Sequence, residues 1–137
     1  MNHNVLVVSE NPRLLHHAFE RLQPLGLSVA GCLGPAQGPC ALETADRCPL
    51  ATRADVVIID SPPAGAFTHH IRAIPVGDYA AAIEERHPDT FTILCGAPEG
   101  RSGATGGSAQ ARSALAAIEL VAQMADIARP TSHAVPN

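Results

Sequence analysis

An α/β domain built on a doubly wound parallel sheet is the fold class this sequence predicts, and three features carry the prediction. Short β-branched runs recur at Asn4 to Val8, Asp55 to Asp60 and Phe91 to Cys95. Segments with helical spacing lie between and after them. The central run, Asp55-Val56-Val57-Ile58-Ile59-Asp60, is apolar throughout its interior, as a parallel strand covered on both faces must be. The 137 residues suffice for one domain with a modest core, and 46% of them are apolar, which argues against wholesale disorder. With no Trp, one Tyr and three Phe, aliphatic side chains have to hold that core.

Taken in order, Asn4 to Val8 (NVLVV) is β-branched and lacks helical periodicity, so it predicts a buried strand. Asn11 is a good N-cap, and Pro12 suits a first helical turn, where its missing N–H costs nothing. The helix Pro12 to Gln23 sets Leu14, Leu15, Ala18, Phe19 and Leu22 on one face, and Pro24 with Gly26 ends it. Leu27 to Cys32 alternates and predicts a second strand, parallel to the first across a helical crossover. Between residues 33 and 52, Gly34, Pro35, Gly38 and Pro39 mark a loop, Ala41 to Arg47 has the composition of a short helix, and Pro49 closes it. Asp55 to Asp60 is the third strand, broken sharply by Ser61-Pro62-Pro63-Ala64-Gly65. Residues 66 to 76 fit no single element. Gly77 to Arg86 predicts a helix capped by Asp78, and Phe91 to Cys95 a fourth strand. Gly96 to Ser108 has the composition of a loop, and Ala109 to Arg129 that of a long helix with Leu115, Ile118, Val121, Ala122, Ala125 and Ile127 available for packing. Pro130 stops it, leaving 1–129 as one domain and 130–137 as a frayed tail. The outline is flavodoxin-like, with a fifth strand missing or atypical.

Nine Arg, no Lys and thirteen Asp plus Glu give a net charge of −4 without any basic run, which is the wrong footprint for a nucleic-acid backbone. No apolar stretch reaches membrane-spanning length, and Met1-Asn2-His3-Asn4 lacks a basic n-region. The expected location is the cytoplasm, away from membranes, where thiols stay mostly reduced.

In such a sheet, ligands sit at the carboxyl ends of the strands near the switch point. A strand order 2-1-3-4 gathers Ser9 and Glu10, Asp60 and Cys95 there. Read alone, Asp60 is a turn-starting Asp and Glu10 a first-turn helix acid. Together, VLVVSENPRLL, ADVVIIDSPPAG and TILCGA resemble the first, third and fourth strands of response-regulator receiver (CheY-like) domains, over residues 4 to 97. The resemblance implies a module of two-component signal transduction, with Asp60 at the phospho-acceptor position, Glu10 as one metal-binding acid and Cys95 at the switch hydroxyl position. It also implies Mg2+ at Glu10 and Asp60. Three departures remove the usual chemistry. Ser9 stands where the first acid belongs, Cys95 replaces a hydroxyl with a weak, soft hydrogen-bonder, and the lysine that ends the family's fifth strand is absent from the whole chain. Arginine could neutralise the same charge only with a different reach and geometry. Neither a phosphate loop with G-x-x-x-x-G-K nor a dinucleotide-binding glycine fingerprint follows the first strand, so the Walker-type and Rossmann readings fail.

Cys32, Cys40 and Cys48 follow one another at intervals of eight residues. Cys40 and Cys48 bracket the short helical segment and are candidates for a redox pair or, with Cys32, for a thiolate-bound metal, although no recognised zinc or iron–sulfur spacing is present. The competing reading treats Cys32 and Cys95 as small buried hydrophobes. His16-His17, His69-His70 and His87 fall in exposed-looking places, and His87 complements a helix C-terminus.

The expected function is a degenerate, receiver-like interaction module that is not phosphorylated in the orthodox way and acts through a protein partner in trans. A redox- or metal-sensing module on Cys40 and Cys48 is the alternative. No acid–base or nucleophile set supports an enzyme, no effector domain accompanies the receiver-like part, and the alanine-rich final helix offers a surface for homodimerisation.

Overall fold

A computed structural model describes residues 4–32, 49–61, 66–69, 72–96 and 109–128. The Ala41 to Arg47 segment, Cys40, Cys48, His70 and the 130–137 tail lie outside the described residues.

Five strands form one parallel sheet in the order β2-β1-β3-β6-β7, with β1 at Asn4–Val8, β2 at Ser28–Cys32, β3 at Val56–Asp60, β6 at Phe91–Cys95 and β7 at Ala109–Ala111. Its faces are set by the period-two alternation of the strands. Val5, Val7, Ile58, Ile93 and Cys95 face α1 (Pro12–Leu22) and α4 (Ala114–Ala128). Leu6, Val8, Val57, Ile59 and Leu94 pack instead with Val76, Tyr79, Ala80 and Ile83 of α3 (Val76–Arg86). Both faces of the central strands are therefore covered, which is why they read as unbroken apolar runs.

Helix α1 starts as its sequence requires. The Asn11 side chain accepts from the Arg13 N–H at 3.0 Å, Pro12 opens the first turn, and Leu14, Ala18 and Leu22 are buried. A 3-10 turn over Gln23–Leu25 follows, and Gly26 closes it at φ +89°, a conformation that a side chain would strain. Gly31 of β2 faces α1, where an added Cβ would meet Leu15 Cδ1 at 3.4 Å, an ordinary van der Waals contact. Helices α1 and α4 are also linked by Arg21, whose Nε and Nη2 donate to Glu119 Oε2 and Oε1 at 2.8 and 3.0 Å. That hydrogen bond holds the Glu119 carboxyl below its usual range.

Several expectations need correction. Pro49 does not close a helix but begins one, α2 (Pro49–Thr52), consistent with the fitness of proline for a first turn. The unassigned stretch before α3 forms an antiparallel hairpin of β4 (Ala66–His69) and β5 (Arg72–Pro75), with Phe67 opposite Ile74. Helix α3 starts at Val76 rather than at an Asp78 cap; Asp78 lies in its first turn, where a carboxylate suits the helix dipole. His87 is buried at the end of that helix, and its backbone N–H donates to Ile83 O at 2.8 Å.

The fifth strand is atypical rather than missing. It is only three residues long and occupies what reads as the start of a long helix. Ala109-Gln110-Ala111 has no strand signature of its own and is drawn into the sheet by pairing with Ile93, Leu94 and Cys95. Helix α4 begins only after Ser113, whose Oγ accepts from the Ala116 N–H at 3.1 Å and acts as a cap. Its inward stripe is Ala114, Ala117, Ile118, Val121 and Ala122, with Ala125 partly buried. Leu115 falls one residue off that stripe and is 53% exposed instead of packed.

Candidate functional site

The parallel register aligns the carboxyl ends of the strands. Val8 is paired with Cys32 and with Ile59, and Asp60 is paired with Cys95, which is paired in turn with Ala111. Beyond each strand end the ladder runs on by one bond. Ser9 N–H donates to Cys32 O (2.9 Å), Ser61 N–H to Cys95 O (3.1 Å) and Gly96 N–H to Ala111 O (3.0 Å). Gly96 holds φ +68°, so the chain leaves β6 through a turn that favours glycine.

At this edge the structure brings Ser9 and Asp60 together. The Ser9 hydroxyl donates to Asp60 Oδ2 at 2.8 Å and accepts from the Asn11 N–H at 3.0 Å. Ser9 is buried (0% exposed), whereas Asp60 is half-buried. Glu10 is exposed and forms no hydrogen bond with either of them.

Cys95 lies on the same row as Asp60 but is fully buried in the core beneath α1 and α4. Burial, reinforced by the Asp60 charge, pushes its thiol up to about 12. It is therefore a neutral S–H near pH 7, directed weakly at Ile93 O (3.8 Å), and neither a nucleophile nor a metal ligand in that state. Cys32 ends β2 half-buried, and neither it nor Cys95 is in a disulfide.

Sequence reasoning missed Arg112. It follows β7 directly, next to the Asp60–Cys95–Ala111 row, at the place in the fold where the resemblance expects lysine. Its side chain is exposed and has no hydrogen bond to Asp60. The signal for it was hidden with the strand that carries it.

The fold implies Mg2+ at this edge, and the residues present do not fit it. Mg2+ asks for several hard oxygens in near-octahedral array. Here one Asp60 oxygen already accepts the Ser9 proton, Glu10 is exposed, and among the described residues no group of three His, Cys, Asp or Glu side chains could hold a metal. Among the same residues, no helix is long and apolar enough to cross a membrane.

No family model and no curated protein matches the chain. Solved structures do. A protein described as a pilus assembly protein (CpaE) of Burkholderia thailandensis matches at 16% identity over 91% of this chain and 98% of that one, with a TM-score of 0.53. The signal receiver domain of an HD-domain-containing protein of Pseudomonas fluorescens matches at 18% identity over 91% and 88%, with a TM-score of 0.56. The response regulator TrrA of Thermotoga maritima, solved in complex with Mg2+ and BeF, matches at 17% identity over 90% and 98%, with a TM-score of 0.55. At such identities the likeness is one of fold, and it agrees with the strand order and helix placement above. This chain has the flavodoxin-like fold of receiver domains.

Proposed function

We propose that this chain is a receiver-like signalling module that is not switched by an aspartyl phosphate and that acts through contacts with a protein partner. The observation that carries the reading is the row Asp60–Cys95–Ala111. An acyl phosphate on a receiver-type carboxylate needs a hydroxyl and a cation beside it to grip the transferred group. On this row the first place holds a buried neutral thiol and the second an alanine, with Arg112 exposed beyond it. A contact function draws support from exposed apolar side chains: Leu120 and Met124 one turn apart on α4, Leu115 elsewhere on the same helix, and Phe91 at the start of β6. Neighbouring exposed apolar side chains such as Leu120 and Met124 are a common mark of a protein-binding surface.

Incubation with acetyl phosphate and Mg2+, followed by intact mass measurement, tests this. The expected result is an unmodified chain, with Asp60→Asn indistinguishable from wild type. A phosphoryl adduct that Asp60→Asn abolishes would overturn the proposal. If Arg112→Ala also abolished the adduct, arginine would be doing the work of the missing lysine.

A further inference from the structure

We infer that the Ser9 hydroxyl takes the place of a divalent cation at Asp60, so that this edge of the sheet is satisfied internally and does not take up Mg2+. The inference rests on the functional reading of the Asp60 edge and goes further by naming the group that closes it.

A bound cation needs converging oxygens with lone pairs to spare. Ser9 has its hydroxyl already committed both as donor and as acceptor. Its proton points at Asp60 Oδ2 (2.8 Å), its oxygen accepts the Asn11 N–H (3.0 Å), and its own backbone N–H is bonded to Cys32 O (2.9 Å). Turning that hydroxyl away from Asp60 towards a cation would break the Ser9–Asp60 bond inside a site where Ser9 is 0% exposed. A half-buried carboxylate left without its donor is costly, so the arrangement resists the change. The hydroxyl also ties the turn after β1 to the end of β3, and through Asn11 to the start of α1. Ser9 is thus a positioning residue that holds the carboxylate as a cation would, without bringing positive charge.

Thermal unfolding across a millimolar MgCl2 titration, matched for ionic strength with NaCl, reads this directly. Wild type is expected to keep one melting temperature throughout. Ser9→Asp removes the donor and sets a second carboxylate beside Asp60, so it is expected to melt lower without Mg2+ and to recover saturably with it. Ser9→Ala is expected to melt lower without recovery, because it loses the bonds and gains no ligand. A saturable Mg2+ stabilisation of wild type that Asp60→Asn removes would overturn the inference, as would a folded Ser9→Asp chain indifferent to Mg2+. Should Ser9→Asp not fold, Mn2+-induced broadening of the amide signals of residues 9 to 11 and 60 to 61 in wild type decides: none is expected, and site-specific broadening refutes. The two readings fail separately. Phosphoryl transfer without cation binding would sink the functional reading alone, and cation binding without phosphoryl transfer would sink this one alone.

Discussion

Alkaline titration reaches the Cys95 thiol with little interference. A chain without lysine has few groups that change charge between pH 9 and 12, essentially its four cysteines and one tyrosine. Burial, with Asp60 adding to it, raises Cys95 from 9.0 to about 12. The folded state therefore holds this proton more tightly than the unfolded state does. The associated stability is whole below pH 9 and is lost as the pH climbs towards 12. At about 1.36 kcal/mol per pH unit, the ceiling is ~4 kcal/mol. Linkage then places a loss of about 1.4 kcal/mol at pH 10 and ~2.7 kcal/mol at pH 11. Urea unfolding under reducing conditions, from pH 8 to 10.5, should show wild type losing stability above pH 9 more steeply than Cys95→Ala. The variant will start lower because a small cavity replaces the sulfur, but its slope lacks the Cys95 contribution, while the other thiols and Tyr79 cancel in the difference. Parallel curves for the two chains would refute the buried neutral thiol. So would alkylation of native Cys95 at pH 8 as fast as in the unfolded chain.

Two further outcomes follow from groups already described. The Thr92 hydroxyl is buried (1% exposed) and has no hydrogen-bond partner among the described residues, so Thr92→Val should stabilise the fold by about 1 kcal/mol, seen as a raised urea midpoint at constant m-value; a destabilised variant would contradict the orphan hydroxyl. Replacing Leu120 and Met124 together with glutamate should leave the urea unfolding midpoint within about 0.5 kcal/mol of wild type, because both side chains are exposed; a loss above about 1 kcal/mol would show that they are packed rather than presented for contact.

The parts of the fold legible in the sequence are those where local signal and tertiary environment agree. β1 and β6 run over the residues their β-branched runs predict, and α1 needed only Asn11, Pro12 and its apolar spacing. What could not be read is where the environment overrules the local signal. Ala109-Gln110-Ala111 is helix-forming by composition and is a strand because β6 offers it a ladder. The β4–β5 hairpin has two strands of four residues each, without a compact turn signature between them, and such ribbons owe little to propensity. Of the site, the Asp60–Ser9 juxtaposition was legible through strand order alone. The inward burial of Cys95 depends on which face of β6 it occupies, a matter of register. Arg112 needed the unseen strand. Ser113, like Pro49, is a local clue to a helix start: a serine immediately before an alanine-rich run moves the beginning of α4 from 109 to 114.

The shortness of β7 bears on how this domain can meet another chain. A sheet that ends in a long, flat strand invites a foreign strand to dock on its unpaired backbone, which is the usual route to unwanted polymers. Among the described residues, that side of the sheet ends in three residues, with only two residues between them and α4. So short a rim offers too little backbone to template an incoming strand. Recognition on this side must therefore be read through side chains, where one substitution can retune or abolish it without reshaping the sheet.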